Sequence, residues 1–73
     1  MKIYTVEAAD NAVAPARLVH VTTSYDKAIE QARIAAEHGN DKLLKSVYNA
    51  EAKTTVYINV KTNTYGRIVE WEV

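Results

Sequence analysis

The chain has no cysteine and no phenylalanine, and its 73 residues include only two glycines and one proline. Without cysteine it can form neither a disulfide nor a thiolate ligand for zinc. Gly39 and Gly66 stand alone, so no glycine-rich loop is present to cradle a phosphate. The missing phenylalanine leaves the apolar volume to aliphatic residues, five tyrosines and Trp71. We predict a single domain, residues 1–73, with a net stability on the order of a few kcal/mol.

A net charge of either sign is also missing, because nine basic residues balance nine acidic ones. Proteins dedicated to nucleic acid usually carry a clear positive charge. The local exception is the segment 42–67, where five cations face Glu51 alone, and five minus one leaves +4. Its aromatic residues could stack on bases while its cations follow phosphates. The candidate residues for this alternative, a small nucleic-acid-binding domain, are Lys45, Lys53, Lys61 and Arg67.

Long apolar runs are absent as well. No stretch approaches the roughly 20 apolar residues that a membrane-spanning helix needs. The first nine residues are interrupted by Thr5 and Glu7 before an apolar run develops, so they do not resemble a signal peptide. We therefore expect a cytoplasmic protein without a membrane partner.

The hydrophobic periodicity predicts four strands, at residues 2–7, 16–22, 54–61 and 67–73, because apolar and polar residues alternate there. Residues 26–38, "DKAIEQARIAAEH", predict a helix capped by Thr23 and ended by Gly39. Residues 40–48 fit either a strand or a short helix, and we favour the strand. Residues 63–66 predict a turn in which Gly66 supplies a positive φ.

This order predicts an α+β fold: an antiparallel sheet of about four strands with one helix packed on one face, ββαββ. The helix would pack through a stripe that includes Tyr25, Ile29, Ala32 and Ala36. We expect Val69 and Trp71 to point at the helix, which makes Trp71 the largest side chain of the core. The uncovered face would then carry Ile3, Thr5, Leu18, His20, Thr55, Tyr57, Asn59, Ile68, Glu70 and Glu72.

That uncovered face is the predicted partner-binding surface, because it combines apolar anchors with a polar rim. Ile34 is an apolar residue on the otherwise polar outer face of the helix, so it marks a competing surface. The predicted partner-binding residues are Tyr57, Ile68, Leu18, His20, Glu70 and Ile34.

No pattern indicates catalysis. Glu70 and Glu72 lie two residues apart on a strand without an evident pocket. His20 and His38 lack the clustered carboxylates of a metal site, and Ser24 is better explained as part of a helix cap than as a nucleophile. We predict a protein that is not an enzyme, with no catalytic, cofactor-binding or metal-binding residues and no cofactor.

The segments "ARLVHV", "TTSYDKAIEQARIAAE", "TTVYINVKT" and "GRIVEWEV" follow one another in an order that resembles small phage-encoded inhibitors of bacterial defence. Several anti-CRISPR proteins of the ββαββ type share this size and architecture. The resemblance implies a protein that docks on and blocks a host protein complex, in the host cytoplasm if a phage encodes it.

The helix segment alone is similar to the strand-to-helix junction of HicB-type antitoxins, which implies an antitoxin-like regulatory domain. An oligomerising scaffold domain is a third interpretation. A homodimer is compatible with the composition, since association would bury more apolar surface.

Overall fold

The computed structural model describes residues 1–10, 15–37 and 44–73, with the backbone alone for residue 37. The fold is α+β, with one helix and one antiparallel sheet in the order β2-β1-β5-β4-β3. The sheet has five strands rather than about four, because residues 44–49 pair with β4 along their whole length. The elements are β1 (Lys2–Ala9), β2 (Arg17–Thr22), α1 (Tyr25–Glu37), β3 (Leu44–Asn49), β4 (Thr54–Asn59) and β5 (Tyr65–Glu72).

The favoured strand at residues 40–48 is confirmed from Leu44 onward, as β3. Its first residues lie outside the described part of the chain, and so do His38 and Gly39, the expected end of the helix. In the described ranges, no helix has the length and apolar content that crossing a membrane requires.

The N-cap of helix α1 lies one residue later than the predicted cap, Thr23. The N–H of Lys27 donates to Oγ of Ser24 at 3.4 Å, and the N–H of Ser24 donates to Oγ1 of Thr22 at 3.1 Å. Ser24 is therefore the N-cap instead of Thr23, and it satisfies an amide that has no partner within the helix. Asp26 in the first turn suits the positive end of the helix dipole.

The helix packs on the sheet through alanines, as the stripe predicts. Ala28, Ala32 and Ala36 are fully buried. The sheet residue beneath them is Gly66, and a Cβ built there would lie 2.2 Å from the carbonyl oxygen of Ala32. Backbone therefore meets backbone, and only glycine fits. The core cluster is completed by Val6 and Ile68, with Tyr4, Ile29 and Tyr57 packed against it.

This close approach determines which way β5 faces. A side chain at residue 66 would point at α1, and side chains alternate along a strand. Ile68 therefore also points at the helix, while Val69 and Trp71 point away from it. Ile68 is 1% exposed and Trp71 is 53% exposed. The prediction that Trp71 is a core residue is therefore wrong. The space beneath the alanine stripe holds a glycine and leaves no room for an indole.

The same inversion holds for β4. Tyr57 pairs with Gly66 and Thr55 pairs with Ile68, so both lie on the helix side of the sheet. Val56 and Ile58 lie on the opposite side, against the prediction. For β1 the prediction is correct, since Val6 is buried in the core cluster and Ile3 and Thr5 alternate with it.

Strand β2 is divided by an irregularity in its pairing with β1. His20 pairs with Val6 and Leu18 pairs with Glu7, so Val19 is an extra residue. Leu18 therefore faces away from the helix while His20 lies on the helix side. Strict alternation had placed the two on one face.

The turn between β4 and β5 is organised by Asn59. Its Oδ1 accepts hydrogen bonds from the N–H groups of Lys61 and Thr62, at 3.0 and 3.2 Å. The positive φ falls on Asn63, at 63°, and Gly66 lies within β5. Asparagine tolerates this conformation better than most residues. The predicted role of Gly66 in the turn is corrected accordingly.

Candidate docking surface

The side of the sheet turned away from α1 is called the open face here. Cross-strand pairing gathers residues from all five strands on it, and most of them are aliphatic or aromatic. Four large apolar residues of this face are exposed: Leu18, Val21, Val47 and Trp71. The open face comprises Ile3, Thr5, Glu7, Ala9, Leu18, Val21, Lys45, Val47, Asn49, Thr54, Val56, Ile58, Tyr65, Arg67, Val69 and Trp71.

The open face is richer in large apolar side chains than the face that α1 covers. The largest fully buried side chains on the helix side are Ile68, Val6 and Asn59, and the helix contributes mainly alanines. An antiparallel sheet with one packed face normally presents polar side chains on the other. Contiguous exposed apolar surface on a small protein marks an interaction site.

The centre of the open face holds one ion pair. Nη2 and Nε of Arg67 both donate to Oε1 of Glu7, at 2.9 and 3.3 Å, across the β1–β5 pairing. The two residues belong to a row that crosses the sheet, with Leu18 on one side and Val56 and Val47 on the other. Because the two charges are paired, the middle of the face has no excess charge.

Trp71 is oriented by a hydrogen bond along the open face. Its Nε1 donates to Oγ1 of Thr5 at 2.9 Å. The one polar atom of the indole is thereby satisfied within the chain, while about half of the residue stays in contact with water. A large aromatic ring held in place and left exposed is the usual form of an interface anchor.

The predicted partner-binding residues do not lie together. Leu18 is on the open face, whereas Ile68 is in the core and Tyr57 packs against that core. His20 lies on the helix side of β2. Glu70 also lies on the helix side, with its carboxylate 3.8 Å from Nζ of Lys2 and 3.9 Å from Nζ of Lys53.

Ile34 is exposed on the outer face of α1, as expected, and lies on neither face of the sheet. The six residues thus occupy the core and several different surfaces, and the predicted surface around Tyr57 and Ile68 does not form.

The four basic residues of the alternative are dispersed too. Arg67 is paired with Glu7, and Lys53 lies beside Glu70. Lys45 is on the edge strand β3, and Lys61 is in the turn that follows β4. Lys53 and Lys61 therefore lie beyond opposite ends of β4, so these four cations do not form one positive surface.

A cleft of about 290 Å³ lies at the beginning of α1, on the helix side. It exists because the helix starts at Tyr25 and leaves this end of the sheet uncovered. The Tyr25 hydroxyl shares a hydrogen bond with Oγ1 of Thr55 at 3.2 Å, and the rings of Tyr4 and Tyr25 are 5.1 Å apart. The lining residues are Tyr4, Tyr25, Tyr48, Lys53, Thr55, Ile68 and Glu70.

The cleft is lined by tyrosine side chains, by the core residue Ile68 and by the ion pair of Lys53 and Glu70. Among the described residues, no three histidine or carboxylate side chains come close enough together to hold a metal ion.

The sequence contained one signal that could have located the open face. A glycine within an otherwise apolar strand marks close backbone approach. Interpreted in this way, Gly66 would have placed Val69 and Trp71 on the opposite face, and with them Val56 and Ile58.

Neither a protein-family model, nor a curated protein, nor a solved structure matches this chain. The function is therefore argued from the surface itself.

Proposed function

We propose that the protein is a non-enzymatic binding domain that acts by docking its open face on a partner protein. The observation that carries the proposal is the distribution of apolar side chains: the open face exposes more large ones than the helix side buries. Leaving such a surface in water is unfavourable by roughly 25 cal/mol for each Å² of apolar area. A partner that covers it recovers this free energy.

The composition of the open face favours a protein partner over nucleic acid. Its central cation, Arg67, is already paired with Glu7, and Lys45 lies at the edge. Nucleic-acid affinity depends on several unpaired cations that follow the phosphates. Aliphatic side chains around an aromatic anchor are instead the composition of a protein interface core.

The narrower role in this proposal is that of a phage or mobile-element inhibitor that blocks a host defence complex by occupying a surface. The support for it is the small size and the element order ββαβββ. Like the ββαββ proteins that the sequence resembles, the chain has two strands before a single helix and further strands of the same sheet after it. An inhibitor of this kind needs no catalytic residue, because binding alone prevents the host complex from acting.

The test uses affinity capture from the native host with three variants of the tagged protein. Val21→Glu places a charge on the open face, and Trp71→Ala removes its aromatic anchor. Ile34→Glu is the matched control on the outer face of α1, because Ile34 and Val21 are 54% and 53% exposed. We expect the partner to be retained by Ile34→Glu and lost or weakened at least about tenfold by the other two.

Capture that survives both open-face substitutions and is lost in Ile34→Glu would move the site to the helix and overturn the proposal. Each variant must keep the far-ultraviolet circular dichroism of the wild type for the comparison to count. The narrower role is tested with the same variants in a host with an active defence system. Phage plating should rise with wild type and Ile34→Glu, and should not rise with Val21→Glu.

A further inference from the structure

We infer that a second copy of this chain covers the open face when no partner is bound, with the two sheets packed face to face in a symmetric dimer. The inference rests on the proposed function, since both use the same surface. Self-association would then compete with the partner, and only the dissociated chain would be free to dock.

The dimensions of the open face are sufficient for such a dimer. Five strands about 4.8 Å apart, each extending roughly 20–27 Å, give a face of about 500 Å² on each copy. Two such faces bury about 1,000 Å² together, which is below the roughly 1,200–2,000 Å² of stable interfaces and within the range of weak, transient ones. This size predicts a dimer that forms and dissociates with concentration.

The interior of the chain supplies a reason to associate. The helix side is filled largely by Ala28, Ala32 and Ala36, which bury little area each. A chain of 73 residues without cysteine has no disulfide to compensate for a small core. Covering the open face places Val56, Ile58 and Val69 in an apolar layer between two sheets.

The charges of the open face fit a second copy of itself. In a symmetric dimer the same patch of both copies forms the interface, so each contact of a charged residue occurs twice. The central pair of Glu7 and Arg67 is internally neutral and can be covered without an unpaired charge. Lys45, on the edge strand, would stay at the rim in contact with water.

Pairing of strand edges is the competing arrangement, and β2 is poorly suited to it. Its hydrogen-bonding edge is interrupted by the extra residue Val19, and Pro15 precedes it. Irregularities of this kind prevent one sheet from extending into another. The open face is therefore a better surface for association than the β2 edge.

The experiment is a dilution series of the wild-type protein, followed by sedimentation velocity and by the fluorescence of Trp71, the only tryptophan. We expect a dimer at high concentration that dissociates on dilution. Acrylamide should quench Trp71 weakly in the dimer and strongly after dissociation, because the indole lies on the buried face of the dimer.

Two variants test the geometry and one is the control. Val21→Glu and Glu7→Gln should each raise the dissociation constant about tenfold or more, the second because it leaves Arg67 unpaired when the face is covered. Ile34→Glu should leave it unchanged. Glu7→Gln retains the shape of the side chain and should keep the fold of the isolated chain.

A protein that is monomeric at every concentration would overturn the inference, as would a dimer in which dilution leaves the quenching of Trp71 unchanged. Failure here is distinguishable from failure of the proposed function. If the protein is monomeric and Val21→Glu abolishes capture of the partner, the proposed function stands and the dimer is refuted. If the protein dimerises and Val21→Glu leaves capture of the partner unchanged, the dimer stands and the proposed function is refuted.

Discussion

In β5 the smallest residue, Gly66, is buried under the helix, and the largest, Trp71, is exposed. Gly66 lies under α1, where a Cβ would be 2.2 Å from the backbone of Ala32, while Trp71 lies on the open face. Adding one methyl group at residue 66 should therefore destabilise the fold more than removing the indole at residue 71. We expect Gly66→Ala to cost about 1–3 kcal/mol, because the backbone of the helix must move to accommodate it.

Trp71→Ala provides the comparison on the same strand. Its indole donates an exposed hydrogen bond to Thr5, and about half of the residue is in water, so the loss should be about 1 kcal/mol or less. Urea unfolding of both variants, at a concentration where the chain is monomeric, measures the difference. If Trp71→Ala is the more destabilised of the two, the orientation of β5 is reversed.

Among the elements, α1 depends on one capping side chain. Ser24→Ala removes the acceptor of the Lys27 amide and should cost about 0.5–2 kcal/mol. Thr23→Ala, one residue earlier, should change the stability by less than about 0.5 kcal/mol because Thr23 is exposed and Ser24 is the cap. Thermal unfolding of the two variants compares them directly. A larger loss for Thr23→Ala than for Ser24→Ala would mean that Thr23 is the cap, as the sequence alone predicts.

The connection between β4 and β5 depends on a buried asparagine in the same way. Asn59 is almost completely buried and accepts two backbone hydrogen bonds, whereas Asn49 is exposed and accepts one, from Ala52. Asn59→Ala leaves two amides without their acceptor and should cost about 2–3 kcal/mol. Asn49→Ala is the matched control and should cost roughly 0.5–1 kcal/mol by the same measurement. Similar losses for the two variants would contradict the buried position of Asn59 and its role in the turn.

The kinds of element followed from the sequence, while the orientation of some strands did not. The inward faces of helix α1 and strand β1 were predictable. The alanines of the helix form a single stripe, and Tyr4 and Val6 of the strand alternate with Ile3 and Thr5. In β4 and β5 the alternation favours the wrong face, because the set that contains Val56, Ile58, Val69 and Trp71 is more apolar than the set that faces the helix. The deciding fact is the contact between Gly66 and Ala32, which is a tertiary contact. The candidate site was missed for the same reason.

For the molecule as a whole, the four candidate cations Lys45, Lys53, Lys61 and Arg67 do not form one basic patch. We expect no salt-sensitive binding to single-stranded or double-stranded oligonucleotides, because Lys53 and Arg67 are beside carboxylates, and Lys45 and Lys61 alone supply too few unpaired cations. Fluorescence anisotropy with labelled oligonucleotides, at low and moderate salt, measures this. Tight binding that weakens steeply with salt would support the nucleic-acid alternative instead.

The described part of the chain is thus one sheet with an apolar surface on each side, and α1 covers only one of these two surfaces. The most direct test of the open face is acrylamide quenching of Trp71, measured first in the monomeric protein and then with the open face occupied by a second copy or a captured partner. The account predicts strong quenching in the monomer and protection in the complex. Protection already in the monomer, or equal quenching in both states, would contradict it.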